Sequence, residues 1–181
     1  MRKLLGLTLG TLGALMAVLL GAVTALTAAE PNPAAATADG GATVADIPPG
    51  MLTLYQGAAR SCPGLPWSVL AAIGKIETDH GRSQLPGVHT GENSAGAGGP
   101  MQFLAATWAA YGVDTDGDTP PDRYDPADAI YSAAAYLCAN GAGQPGGLNN
   151  AVFAYNHAEW YVRQVLAQAA AYTDGASSAR R

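Results

Sequence analysis

A single carboxyl group in the middle of an apolar helix face is the first feature of this sequence that could do chemistry. The stretch VLAAIGKIETDHGRS, residues 69–83, has the pattern of the last turns of a helix. When it is projected at about 3.6 residues per turn, Glu77 falls on the same face as Leu70 and Ile73. The opposite, solvent-facing side carries Ser68, Lys75 and Asp79. Lost hydration and the negative end of the helix dipole both raise the pKa of such a carboxyl, which suits a general acid. The alternative is a structural Glu satisfied by an Arg or a backbone amide.

Five aspartates follow with the spacing of a calcium-binding loop. They occupy positions 1, 3, 5, 9 and 12 of the window 114–125, the side-chain positions of an EF-hand: Asp114, Asp116, Asp118, Asp122 and Asp125. Position 6 is Thr119 where an EF-hand has Gly, and position 12 is Asp where Glu is usual. The window therefore has two interpretations, a structural calcium site and a solvated acidic turn.

The remaining metal-binding residue types do not suggest a metal centre. His80, His89 and His157 lack clear metal-ligand spacing and are expected on the surface or in a cleft. Cys62 and Cys138 are the only cysteines, and in an exported protein an isolated pair usually forms a disulfide. Two buried free thiols are the alternative.

The N-terminus indicates export. Arg2 and Lys3 precede the uncharged run 4–27, and small residues follow at 27–29, so residues 1–29 have the layout of a secretory signal peptide. The run is also long enough to be an uncleaved membrane anchor. We therefore expect a secreted or extracytoplasmic protein, either free or anchored by this segment.

The charge balance argues against nucleic acid as a partner. The formal net charge of the 181-residue chain is −5, and without Arg2 and Lys3 seven basic side chains face fourteen acidic ones. Binding to phosphates needs basic patches, and this sequence has none.

The rest of the chain predicts one helical domain. Residues 30–47 are rich in Ala, Pro, Gly and Thr and predict a disordered linker, followed by a domain at 48–172 and a flexible tail at 173–181. Asp125 is a good N-cap, and Asn156 with Glu159 resembles a capping box. A Gly-rich loop is expected at 83–99, with at most a small hairpin. The six helices are expected at about 49–60, 66–80, 104–111, 126–140, 148–155 and 157–172.

Three segments in order carry a family resemblance. IGKIETDHGRS (73–83), GENSAGAGGPMQFLAATW (91–108) and AVFAYNHAEWYV (151–162) together resemble the lytic transglycosylases of the goose-type lysozyme-like superfamily. The resemblance covers roughly residues 50–170. It implies a mainly α, lysozyme-like domain whose cleft binds peptidoglycan glycan strands and cuts them between N-acetylmuramic acid and N-acetylglucosamine.

The resemblance also implies roles for individual residues. Glu77 matches the catalytic acid, and Thr78 keeps a hydroxyl where the family usually has Ser. The residues implied to bind substrate are Thr78, Met101, Gln102, Tyr155 and Asn156. Met101 would pack on a sugar face, Gln102 would hydrogen-bond an acetamido group, and Tyr155 would reach toward Glu77. The alternatives are core packing for Met101 and Tyr155 and a helix cap for Asn156.

The sequence offers no convincing second carboxylate, although most glycosidases use two. Glu92 lies on the Gly-rich loop and is the nearest candidate. A lone acid fits a transglycosylase that needs no cofactor, in which the substrate's own C6 hydroxyl replaces water; we expect a monomer. The alternatives are a hydrolytic muramidase that uses Glu92 or another acid, and an inactive protein that only binds cell wall.

Overall fold

The computed structural model describes residues 44–117 and 120–178 of the chain. The predicted signal segment, most of the predicted linker and Asp118 lie outside these residues. The described part forms α1 (Pro49–Ala59), α2 (Trp67–Thr78), β1 (Ala97–Gly98), β2 (Phe103–Leu104), α3 (Ala105–Tyr111), α4 (Pro126–Ala139), α5 (Leu148–Tyr155) and α6 (Glu159–Ser178). The two strands pair antiparallel, with Ala97 opposite Leu104. The prediction of a mainly α domain with one small hairpin is confirmed.

Local sequence chemistry explains where the helices start. Pro49 stands in the first turn of α1, and Pro66 is the residue before the first turn of α2. Asp125 caps α4, because its side chain accepts hydrogen bonds from the backbone N–H groups of Ala127 at 2.8 Å and Asp128 at 3.1 Å. None of the described helices is long and apolar enough to span a bilayer.

Helix α2 is the centre of the domain and packs against α1, α4 and α6. Its face toward α1 approaches closely: a Cβ atom at Gly74 would lie 2.1 Å from the hydroxyl of Tyr55. The predicted disulfide between Cys62 and Cys138 is confirmed and joins the end of α1 to the end of α4 across a sequence separation of 76. The helix that carries Glu77 is therefore held on several sides.

Three local predictions differ from the structure. Ser68, expected to face solvent, is buried because α6 covers that side of α2, and Thr173 Oγ1 lies 3.3 Å from its hydroxyl. The capping box of Asn156 and Glu159 does not form, since Asn156 is the C-cap of α5 and α6 begins only at Glu159. Helix α6 also continues to Ser178, beyond the predicted end near Tyr172.

The residues just before Pro48 pack against the domain. Val44–Asp46 form a short 3-10 helix, and Ile47 is buried in the core. The Asp46 carboxylate lies 2.8 Å from Lys75 Nζ and 3.1 Å from Arg82 Nη2. These ion pairs join the segment 44–47 to the C-terminal end of α2. The amino-acid composition of the segment does not predict this contact.

Candidate active site

Glu77 lies in the last turn of α2 and opens on a cleft of ≈ 410 Å³. The hydroxyl of Tyr161, in the first turn of α6, donates a hydrogen bond to Glu77 Oε1 at 2.5 Å. Burial raises the pKa of Glu77, and the bond from Tyr161 offsets only part of that rise, so the net shift is upward.

The two walls of this cleft differ in chemistry. Leu85, Pro86 and Val88 form an apolar wall, and the other wall is polar, with Asn93, Ser94 and Gln102. Among the described residues that line the cleft, Glu77 is the only acidic one. The cleft therefore combines one protonatable group with both apolar and hydrogen-bonding lining.

Gln102 is locked into the polar wall. Its backbone has a φ of 52°, an unusual conformation for a residue with a side chain. Three hydrogen bonds hold its amide: Asn93 Nδ2 donates to Oε1 at 2.9 Å, and Nε2 donates to the carbonyls of Gly99 at 2.8 Å and Gly87 at 3.3 Å. Gln102 lines the cleft, but a sugar acetamido group would have to share or replace one of these bonds.

The segment that contains Arg123 and Tyr124 packs against the Gly-rich loop that leads to Gln102. A Cβ atom at Gly99, whose φ is 81°, would lie 1.8 Å from the carbonyl oxygen of Arg123, so only glycine fits there. Arg123 Nη2 lies 2.7 Å from Glu92 Oε1, and the Tyr124 hydroxyl donates to the carbonyl of Gly91. Glu92 is thus an ion-pair partner of Arg123 and does not line the Glu77 cleft.

Two residues predicted to bind substrate are buried behind the cleft. Thr78 is 1% exposed; its hydroxyl donates to the carbonyl of Pro100 at 2.6 Å and accepts from the N–H of Gly81 at 2.8 Å. Met101 is fully buried in the core. Direct substrate contact is therefore wrong for both residues: Thr78 clamps the Gly-rich turn to the end of α2, and Met101 packs beneath it.

The tyrosine that reaches Glu77 is not the predicted one. The Tyr155 hydroxyl donates to the carbonyl of Met101 at 2.8 Å, whereas Tyr161 bonds Glu77. Asn156 ends α5 and is not among the residues that line the cleft. Tyr161 belongs to the buried face of α6, with Val165 and Ala169 at helical spacing. That periodicity marks it as buried, and a buried tyrosine hydroxyl needs a partner.

His80 is neither on the surface nor in the cleft, contrary to the prediction. It is 3% exposed, with Nδ1 3.0 Å from the Tyr55 hydroxyl and Nε2 3.0 Å from the Tyr172 hydroxyl. Burial lowers its pKa to about 4. His89 and His157 are exposed, as expected. His80 is thus a neutral core residue that joins α1, the end of α2 and α6.

The acidic segment is organised by an aspartate outside the predicted set of ligands. Asp128 is 2% exposed and accepts three hydrogen bonds, from the N–H and hydroxyl of Thr115 and from the N–H of Asp122. Asp114 and Asp125 each accept bonds from nearby backbone N–H groups as well. No three acidic, His or Cys side chains converge on a cation position within the described residues, and Asp118 lies outside them. Calcium binding stays a prediction.

Comparison with known proteins agrees with this geometry. The fold resembles two solved structures of the Escherichia coli lytic transglycosylase Slt35, each covering 70% of this chain and 75% of that one. The complex with bulgecin A has a TM-score of 0.53 at 18% identity, and the complex with calcium has 0.54 at 19%. At these identities the likeness shows the fold, which is mainly helical and lysozyme-like.

A family model matches part of the sequence. Residues 87–149 are similar to the transglycosylase SLT domain family. The matched range includes Gln102 and Arg123 but neither Glu77 nor Tyr161. No curated protein gives a significant match. The roles of Glu77 and Tyr161 therefore rest on the geometry of the cleft.

Proposed function

We propose that this chain cleaves the β-1,4 bond between N-acetylmuramic acid and N-acetylglucosamine in peptidoglycan and leaves a 1,6-anhydro-N-acetylmuramic acid end. The observation that carries the proposal is the desolvated Glu77, the only acid among the described lining residues of its cleft. A hydrolytic enzyme commonly needs a second carboxylate to activate water. Glu92, the candidate for that task, is engaged by Arg123.

One carboxyl group can serve both halves of the reaction. Protonated Glu77 gives its proton to the glycosidic oxygen as the bond from that oxygen to C1 breaks. The resulting carboxylate then takes the proton of the C6 hydroxyl of the same sugar, whose oxygen forms the new bond to C1. Glu77 ends protonated, water is not consumed, and the product is the anhydro sugar.

Tyr161 is a positioning residue in this scheme. Its bond to Oε1 fixes the carboxyl group and leaves Oε2 for proton transfer. It also stabilises the carboxylate formed after the first transfer, while burial raises the pKa of the resting group and so favours its protonated form. The balance of these two effects suits a group that must both give and take a proton.

We further propose that the protein acts outside the cytoplasm, in remodelling of the cell wall. The disulfide between Cys62 and Cys138 supports an oxidising compartment, since such bonds rarely persist in a reducing cytosol. The predicted export segment at 1–29 supports the same location.

Mass spectrometry of the fragments released from purified peptidoglycan tests this function. We expect disaccharide-peptide products lighter than the hydrolytic ones by one water. Products with ordinary reducing ends would instead show a muramidase, and no release would show a protein that only binds the wall. Glu77→Gln, treated in parallel, is the control that separates this activity from a contaminant.

A further inference from the structure

The turn that ends α2, directly after Glu77, has a strained backbone. Asp79 and His80 have φ angles of 54° and 58°, in the left-handed region that residues with a side chain rarely adopt. Gly81 continues the turn with a φ of 78°. Two successive non-glycine residues in this conformation persist only where their surroundings hold them. The contacts of the turn must therefore compensate for its strain.

The side chain of His80 fixes this turn to the interior of the domain. Its Nδ1 lies 3.0 Å from the hydroxyl of Tyr55 on α1, and its Nε2 lies 3.0 Å from the hydroxyl of Tyr172 on α6. Both tyrosines are fully buried. Asp79, in contrast, makes its ion pairs at the surface, where such pairs add little stability. The ring of His80 therefore ties the turn to two other helices.

The ring holds these two contacts as a neutral group. Burial lowers the pKa of His80 to about 4, and the surrounding charges act in opposing pairs, Arg82 and Lys75 to lower it and Asp46 and Asp79 to raise it. A neutral imidazole has one N–H donor and one acceptor nitrogen, so one tyrosine donates to the ring and the other accepts from it. Removal of either hydroxyl would leave a buried ring nitrogen unsatisfied.

Helix α6 connects this anchor to Glu77. Tyr161 and Tyr172 lie on the same buried face of α6, about three turns apart. The hydroxyl of Tyr161 bonds Glu77, and the hydroxyl of Tyr172 bonds His80. One face of α6 therefore contacts both the last turn of α2 and the strained turn that follows it. A shift of that turn would change the distance between Glu77 and Tyr161.

We propose that His80 is a positioning residue for Glu77. Its ring holds the strained turn, and the turn keeps the carboxyl group of Glu77 against the hydroxyl of Tyr161. The catalytic consequence rests on the proposed function, in which that carboxyl group is the general acid. The role belongs to a histidine that does not line the cleft and takes no part in proton transfer.

Carbon-13 NMR titration of the Glu77 carboxyl group in the full-length protein tests the proposal without depending on activity. The chain has four glutamates, and Glu77→Gln identifies the signal of Glu77. Tyr172→Phe and Tyr55→Phe each remove one bond to His80 and leave His80 itself in place. Thr173→Val, also on α6, is the matched control, because it removes a hydroxyl that bonds the start of α2 and leaves the turn untouched.

We expect Tyr172→Phe and Tyr55→Phe to raise the pKa of Glu77, because a displaced carboxylate loses stabilisation by the Tyr161 hydroxyl. In a Tyr161→Phe background, Tyr172→Phe should cause no further rise, since the bond that it weakens is already absent. Thr173→Val should leave the pKa of Glu77 at its native value, even where it lowers the melting temperature.

An unchanged pKa of Glu77 in either Tyr172→Phe or Tyr55→Phe, whichever folds, would overturn the proposal. An equal rise in Thr173→Val would do the same, and so would a rise in Tyr172→Phe that persists without the Tyr161 hydroxyl. Cleavage of peptidoglycan is measured separately. A chain whose Glu77 responds as expected but that cuts no peptidoglycan would refute the proposed function and retain the positioning by His80.

Discussion

Two carboxyl groups at opposite helix ends, the partly buried Glu77 and the fully buried Asp128, have pKa values shifted in opposite directions. Glu77 ends α2 and receives one hydrogen bond, from Tyr161. Asp128 lies in the first turn of α4 and receives three, from Thr115 and Asp122. Burial raises the pKa of both groups, but the net shift is upward for Glu77 and downward for Asp128.

The difference shows that hydrogen bonds, together with burial, set the direction in which the pKa of such a carboxyl group moves. The dipole of α4 favours a negative charge in its first turn, whereas the last turn of α2 disfavours one. Asp128 is therefore suited to hold a loop as a carboxylate, and Glu77 is suited to store a proton. Only Glu77 faces the cleft.

The largest effect expected from this comparison is on activity. Glu77→Gln keeps the shape and removes the proton, so peptidoglycan cleavage should fall by at least about a hundredfold. Its melting temperature should stay equal or rise, because a buried carboxyl group is costly. Turbidity of a cell-wall suspension and thermal unfolding measure the two quantities. Wild-type cleavage by Glu77→Gln would remove Glu77 from the mechanism.

Asp128→Asn should show the reverse pattern, with a loss of stability as its primary effect. The amide replaces one acceptor oxygen with a donor that meets N–H groups, so we expect a loss of about 3 kcal/mol in the free energy of unfolding. Denaturant unfolding measures it. A fully stable Asp128→Asn protein would show that the three bonds do not hold the loop.

The pH dependence of stability should separate the two groups by sign. The raised pKa of Glu77 means that the folded state binds the extra proton between the unfolded value near 4.5 and the folded one, so stability rises as pH falls through that window. The lowered pKa of Asp128 contributes stability above 3.8 that is lost as pH falls through its folded value. Each variant should remove only its own contribution.

Tyr161→Phe tests the single hydrogen bond on Glu77. Loss of the donor should raise the Glu77 pKa further, so the alkaline limb of the pH profile of kcat/KM should move to higher pH. Tyr155→Phe is the matched control, because its hydroxyl bonds the carbonyl of Met101 instead. An unmoved limb in Tyr161→Phe, or equal movement in both variants, would contradict the assignment.

The sequence was informative where a feature depends on near neighbours. Asp125 could be predicted as a cap because its partners are two and three residues away, and α5 occupies the predicted range. Glu77 could be placed on an apolar face from helical spacing alone. These elements follow from periodicity and capping chemistry.

Features that depend on contacts between residues distant in sequence could not be predicted from periodicity or capping. Thr78 and Met101 are covered by parts of the chain that a projection of one helix does not include. Tyr161 is 84 residues from Glu77, and no spacing rule links the two. Arg123 and Glu92 are 31 residues apart, and their ion pair likewise could not be predicted from the sequence. It engages the acid that the sequence had left as a candidate second catalytic carboxylate.

The smallest effect is expected from calcium. Asp128 already binds Thr115 and Asp122, so much of the order of the acidic segment is internal to the protein. A cation at the predicted ligands would add stability only by mass action. At a free calcium concentration about ten times Kd the gain in the free energy of unfolding is about 1.4 kcal/mol, which corresponds to a rise of roughly 4 °C in melting temperature. We therefore propose a structural calcium site whose effect on activity does not exceed its effect on stability.

Thermal unfolding in a chelator and in millimolar calcium checks this proposal. Asp116→Asn with Asp118→Asn should remove the calcium-dependent rise, because it deletes two predicted ligands. The control, Glu159→Gln with Asp174→Asn, removes an equal number of negative charges from α6 and should retain the rise. It separates calcium binding from a general loss of charge repulsion. If the melting temperature of the native chain is the same in both solutions, the segment is only a solvated acidic turn.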